Sequence, residues 1–132
     1  MRIYLTHCSA KKETGLQHTT TSVSPDVLYT ATPTKRFMKK CRETKVAWAI
    51  LSDKFGVWFP HAKHEWYEKD PATITDEEFK TLLDNFNEQF QGYDQIFFYH
   101  NPGRFHRLYR RLTQETQLRD RVHLFSHLSE IA

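Results

Sequence analysis

Four short apolar, β-prone runs, Ile3–Thr6, Val46–Leu51, Ile96–Tyr99 and Val122–Phe125, decide what this chain can become. With their flanks they predict strands over 2–7, 46–51, 94–100 and 122–125. The run from Val46 to Leu51 is continuously apolar, the pattern of a strand covered on both faces. Between the runs the period changes from two to 3.6. Thr32-Pro33 starts a helix that reaches Glu43 and turns Phe37, Met38 and Cys41 inward. Thr75 and Glu78 form a capping box ahead of Phe79, Leu82, Leu83, Phe86 and Phe90. Phe105, Leu108, Tyr109 and Leu112 give a third helix its apolar face. This alternation predicts an α/β fold in one domain, residues 1–132. The expected architecture is three-layered, a mainly parallel four-stranded sheet with helices on both faces, ordered second-first-third-fourth.

Several function classes lose support at once. No apolar run approaches the ~20 residues of a membrane span, so no membrane partner is expected. A secretory h-region is absent and the only cysteines are Cys8 and Cys41, which makes a cytoplasmic location the expectation. Neither GxGxxG nor a Walker loop occurs, and no cofactor is expected. His61 and His64 stand three apart in a loop without a second ligand pair, so no metal is expected. The net charge is +3, with basic groups around Lys39 and Arg107. Weak, salt-dependent nucleic-acid binding is the corresponding expectation.

Chemistry concentrates where the strands end. Ligands of open α/β sheets bind outside the carboxyl ends of the strands. The first strand runs into His7-Cys8-Ser9-Ala10-Lys11-Lys12, the second into Ser52-Asp53-Lys54-Phe55-Gly56, and the third into His100-Asn101-Pro102-Gly103-Arg104. Cys8 and His100 should then share one crevice. Positive neighbours favour a thiolate, so Cys8 is expected to be partly exposed and unusually acidic. Arg104 is expected at a helix N-terminus, where a bound anion would offset its unfavourable position. Val57-Trp58-Phe59 reads as a short extra strand or as an aromatic wall, with Trp58 stacking a planar ligand. Cys41 is expected in the core.

The ordered set Cys8-Ser9-Ala10-Lys11-Lys12, Leu28-Tyr29, Ile50-Leu51-Ser52-Asp53-Lys54-Phe55-Gly56 and Tyr67 resembles a family of small bacterial and phage domains. Those domains carry a Cys-Ser-x-x-Lys loop, a Leu-Tyr pair and an Ile-Leu-Ser-x-x-(aromatic)-Gly segment. More distantly the chain is similar to the core domain of archaeosine synthase, with Cys8 and Lys12, Ser52 and Gly56, Tyr67, and Thr75 with Glu77-Glu78 in matching places. After Lys12 this chain has Glu13-Thr14 where that family has Pro-Tyr. The resemblance implies a domain of nucleobase or nucleic-acid modification, with deazaguanine-type chemistry among the options.

Three functions follow as expectations. The first is an enzyme acting on a nucleobase, nucleoside or nucleic acid. Cys8 is its nucleophile, Lys12 tunes the thiol or protonates a nitrogen, and His100 or His7 shuttles protons. His7, Ser9, Ser52, Gly56, Trp58, Tyr67, Asn101 and Arg104 would bind the substrate. The second is a non-catalytic nucleic-acid-binding module. The third is an N-glycoside-cleaving enzyme in which Asp53 activates water.

Overall fold

The computed structural model describes residues 1–132 as an α/β domain. Its five strands are β1 (Arg2–His7), β2 (Trp48–Ser52), β3 (Gly56–Trp58), β4 (Gln95–Tyr99) and β5 (Val122–Phe125). They form one mixed sheet in the order β3-β2-β1-β4-β5. β1 lies parallel to both neighbours, with Leu5 opposite Ala49 on β2 and Phe98 on β4, and β5 continues the parallel set. The chain leaves β1 toward β2 and later returns across β1 to reach β4. The topological switch point therefore lies between β1 and β4, the expected arrangement.

The expected four strands become five, because the polar turn after β2 is a hairpin. Ser52 Oγ accepts hydrogen bonds from the Lys54 and Phe55 amides at 3.1 and 3.0 Å, which folds the chain back on itself. Gly56 supplies the positive φ of 74° that completes the reversal. β3 then pairs antiparallel to β2, Ser52 opposite Gly56. The three-layer expectation needs correction at the other edge. Both faces of β1 and β2 are buried, whereas His123 and Leu124, successive residues on opposite faces of β5, are exposed. Coverage is complete in the middle of the sheet and lapses at β5.

The helices are α1 (Pro25–Leu28), α2 (Thr32–Thr44), α3 (Asp76–Phe90) and α4 (Arg107–Glu115). Thr75 Oγ1 accepts from the Glu78 amide and Glu78 Oε1 from the Thr75 amide, both at 3.1 Å, so the predicted capping box of α3 is present. Phe86 and Phe90 on its inner face are fully buried and pack edge to face at 4.8 Å. Phe37 of α2 stacks on Tyr99 of β4 at 5.9 Å, and Cys41 is buried in the same core. The start of α4 departs from expectation. Pro102–Arg104 is a separate 3-10 turn, and His106 caps α4 by accepting from the Leu108 amide through Nδ1 at 3.0 Å. Arg104 is therefore not at a helix N-terminus. Asn101 Oδ1 accepts from the Gly103 amide and holds that turn, leaving Arg104 exposed beside it. No helix is long and apolar enough to cross a membrane.

Candidate active site

β1 delivers Cys8 to the carboxyl edge of the sheet, and its amide donates to Leu51 O at 2.9 Å in continuation of the ladder. The loop beyond is pinned, not loose. Glu13 N donates to Leu28 O at 2.8 Å and Thr30 N to Lys11 O at 3.2 Å, so Lys12 faces Tyr29 in an antiparallel bridge. That pairing turns Lys12 inward and leaves Lys11 exposed. Lys12 is 93% buried by residue area, being only 7% exposed. Its ammonium lies 4.6 Å from the centroid of the Tyr67 ring and 5.9 Å from that of Trp66, and reaches Ala10 O at 3.5 Å. No carboxylate lies within ion-pair distance of it. Two aromatic faces compensate part of the lost hydration.

The thiol itself is enclosed. Cys8 is only 9% exposed, which corrects the expectation of a partly exposed group. Its Sγ donates to Asp53 Oδ1 at 3.4 Å and lies 3.1 Å from Tyr109 Oη. Burial pushes the thiol pKa up to about 11, the negative charge of Asp53 adds to the rise, and the Tyr109 hydroxyl opposes it. The expected acidic thiolate is thus reversed. Lys11 points to solvent, His7 is held neutral, and desolvation outweighs the remaining cation.

Asp53 is buried as well, and burial raises its carboxyl above the ordinary range against the pull of the Cys8 thiol, Lys12 and Lys69. A carboxyl whose folded pKa exceeds its unfolded value of ~3.9 favours folding below that value and loses the advantage as pH rises through the folded pKa. Asp53→Asn should therefore raise the melting temperature at neutral pH, with the gain vanishing near pH 4. Thermal melts at both pH values check this, and an equal gain at both would contradict it.

Cys8, Lys12, Asp53, Tyr109, His7, Ser9, Arg104, His106 and Lys69 line a cleft of about 300 Å³ in which Asp53 is the only carboxylate. His7 stacks on Tyr109 at 4.9 Å with its Nδ1 2.8 Å from Cys8 O. Burial lowers its pKa, and His100 and His106 lower it further through like-charge repulsion. His100 does not enter this cleft. It lines an adjoining cavity on the other side of His7, with Nδ1 2.9 Å from Phe125 O. The single crevice expected for Cys8 and His100 is two compartments that share His7, Ser9 and Arg104.

Other predicted binding residues prove structural. Ser52 is fully buried and donates to Tyr67 Oη at 3.1 Å, and the hydroxyls of Tyr67 and Tyr29 are hydrogen-bonded to each other. Trp58 is 1% exposed and spends its indole N–H on Ala62 O at 2.9 Å, so it cannot stack a ligand. Gly56 is a backbone requirement of the hairpin. Tyr67 reaches the site only through its ring beneath Lys12. Three lining residues were missed by sequence reasoning: Tyr109, Lys69 and His106. Tyr109 fell on the apolar stripe of α4, and only its hydroxyl, not its spacing, signals a polar contact. Lys69 and His106 carry no motif.

No family model, curated protein or solved structure matches the chain.

Proposed function

We propose that this protein is an enzyme acting on a nucleobase or nucleoside, with Cys8 as nucleophile and Asp53 as its general base. The observation that carries the reading is the 3.4 Å contact from the Cys8 thiol to the buried Asp53 carboxylate, at the wall of a cation-rich cleft. A resting thiol with pKa near 11 attacks only if its proton leaves in the same step. Asp53 is in place to take it, and its raised pKa makes it a better acceptor. As Sγ bonds to an electrophilic nitrile carbon, one C–N π pair moves to nitrogen. That nitrogen takes a proton from the Lys12 ammonium, leaving a thioimidate. Water or an amine then displaces the thiol and regenerates the site. The cleft volume is at the lower end of small-molecule sites, ~300–1,000 Å³, and suits a ring-sized group. The resemblance of the Cys8–Lys12 loop and the Ser52–Gly56 turn to nucleobase-modifying domains supports the substrate class.

Several basic residues that would serve a pure nucleic-acid-binding module are already engaged. Lys39 pairs with Glu43, Arg42 with Asp26, and Arg111 with Asp76 and Glu115. Lys35, Arg36, Lys40, Lys45, Arg107 and Arg110 make no such pair, so the catalytic reading is preferred on the Cys8–Asp53 contact and not on the charge pattern.

Incubation with a nitrile-bearing deazaguanine, followed by intact-mass spectrometry, tests it. A mass increase of one ligand is expected in the wild type and in Cys41→Ala, and none in Cys8→Ala. Asp53→Asn should slow adduct formation by about 10²–10⁴-fold. An adduct that survives Cys8→Ala would overturn the reading. Release of free base from a nucleoside, dependent on Asp53 and indifferent to Cys8, would replace it with N-glycoside cleavage.

A further inference from the structure

The cavity beside the Cys8 cleft has no part in the chemistry above, yet it occupies the topological switch point between β1 and β4. At about 460 Å³ it is larger than the cleft itself. His7 from β1, His100 from β4, Arg104 from the following turn and His127 from beyond β5 converge on it, together with the hydroxyls of Ser9 and Thr34. No aspartate or glutamate lines it. Elsewhere on this chain some cations are matched by carboxylates, namely Lys39, Arg42, Lys69 and Arg111. Here four basic side chains from four segments meet without one.

The wall opposite the histidines reinforces that polarity. Helix α2, thirteen residues long, opens on the cavity through Ala31, Pro33 and Thr34. Its N-cap is Ala31, which has no side chain to accept a hydrogen bond, so the positive end of the helix is uncapped. Thr34 is buried and its hydroxyl donates to Ser9 Oγ at 3.3 Å, which ties α2 to the loop that carries Cys8. His7 and His100 already have Nδ1 against the carbonyls of Cys8 and Phe125. With Nδ1 engaged there, Nε2 is the ring nitrogen left to meet a ligand.

We infer that this cavity binds the phosphate monoester of a nucleotide whose base occupies the adjoining Cys8 cleft. The two compartments share His7, Ser9 and Arg104, so one ligand bridges them at the shared wall. The inference rests on the nucleobase reading for the base half of the ligand; the phosphate half rests on the cavity alone. It narrows the substrate from a base or nucleoside to a 5′-monophosphate.

Calorimetric titration compares guanosine, guanosine 5′-monophosphate, inorganic phosphate and a short oligonucleotide lacking a terminal phosphate, each against the full chain. The monophosphate should bind at least about tenfold more tightly than guanosine, the scale of one charged hydrogen bond. Inorganic phosphate should compete with it. His127→Ala should reduce the preference severalfold and leave guanosine affinity unchanged, because His127 lines only this cavity, whereas Arg104→Ala, at the shared wall, should weaken the monophosphate more than it weakens guanosine. Both side chains are exposed, so the melting temperature should hold in each. Equal binding of guanosine and its monophosphate, or a preference that survives both substitutions, would overturn the inference. An oligonucleotide without a terminal phosphate binding as tightly as the monophosphate would also overturn it, in favour of a nucleic-acid backbone. Cys8→Ala separates the two proposals. A phosphate preference retained in a variant that forms no adduct upholds the cavity assignment. If no adduct forms even in the wild type, the covalent reading fails and the phosphate preference still decides this one.

Discussion

With Cys41 replaced by Ser, alkylation of Cys8 is expected to rise with pH toward a midpoint near 11, with little reaction at neutral pH. An ordinary exposed thiol, of pKa ~8.5, would react on the order of a hundredfold faster at pH 7.5, because rate follows the thiolate fraction. Two causes of the shift can be told apart. Asp53→Asn removes the charge that adds to the rise and should lower the midpoint. Lys11→Ala should leave it unchanged, because that side chain is exposed. Iodoacetamide labelling followed by mass spectrometry reads both. A midpoint below about pH 8 would show that local cations outweigh desolvation, contrary to this account.

The second large effect concerns the hairpin that carries Asp53. A Cβ added at Gly56 would lie 2.4 Å from Asn85 Oδ1 and 2.8 Å from its Cγ. Asn85 cannot simply retreat, since Oδ1 accepts the Val57 amide at 2.8 Å. The φ of 74° adds its own cost for any side chain. About 1–2 kcal/mol of left-handed strain and ~1–3 kcal/mol of overpacking predict that Gly56→Ala destabilises the domain by ~2–5 kcal/mol. That is a large part of the ~5–15 kcal/mol typical of a domain. Urea denaturation measures it. Gly56→Ala combined with Asn85→Ala should recover the clash but not the strain, so the double variant is expected to lose less than the sum of the singles. A loss below about 1 kcal/mol would mean that the turn relaxes freely.

Much of the fold was legible because burial repeats along the chain. The parallel strands and the capping box at Thr75 follow from apolar period and cap chemistry. β3 was open to two readings, since three residues carry too little pattern to distinguish a strand from a wall. The site was legible in its position more than in its detail. Cys8, Lys12 and Asp53 converge as residues at strand ends should, but the state of the thiol did not follow from its neighbours in sequence. Lys11 and Lys12 look equivalent as letters. Only the bridge to Tyr29 turns one inward and the other out. Likewise His7 and His100 read as partners of Cys8, whereas His7 lines both the cleft and the adjoining cavity and His100 lines only the cavity.

Both ends of the chain meet on the side of the sheet away from the cleft. The Met1 ammonium lies 2.7 Å from Asp94, and the Arg2 guanidinium donates to the carbonyl of Ala132. Six residues of β1, roughly 20 Å of strand, separate that corner from Cys8. A tether attached at either end therefore leaves the protein standing with its reactive edge outward. Immobilisation on a bead or sensor surface, or attachment of a carrier domain, keeps the cleft open to ligands. The ion pair at Met1 that such an extension disturbs is solvent-exposed and contributes little.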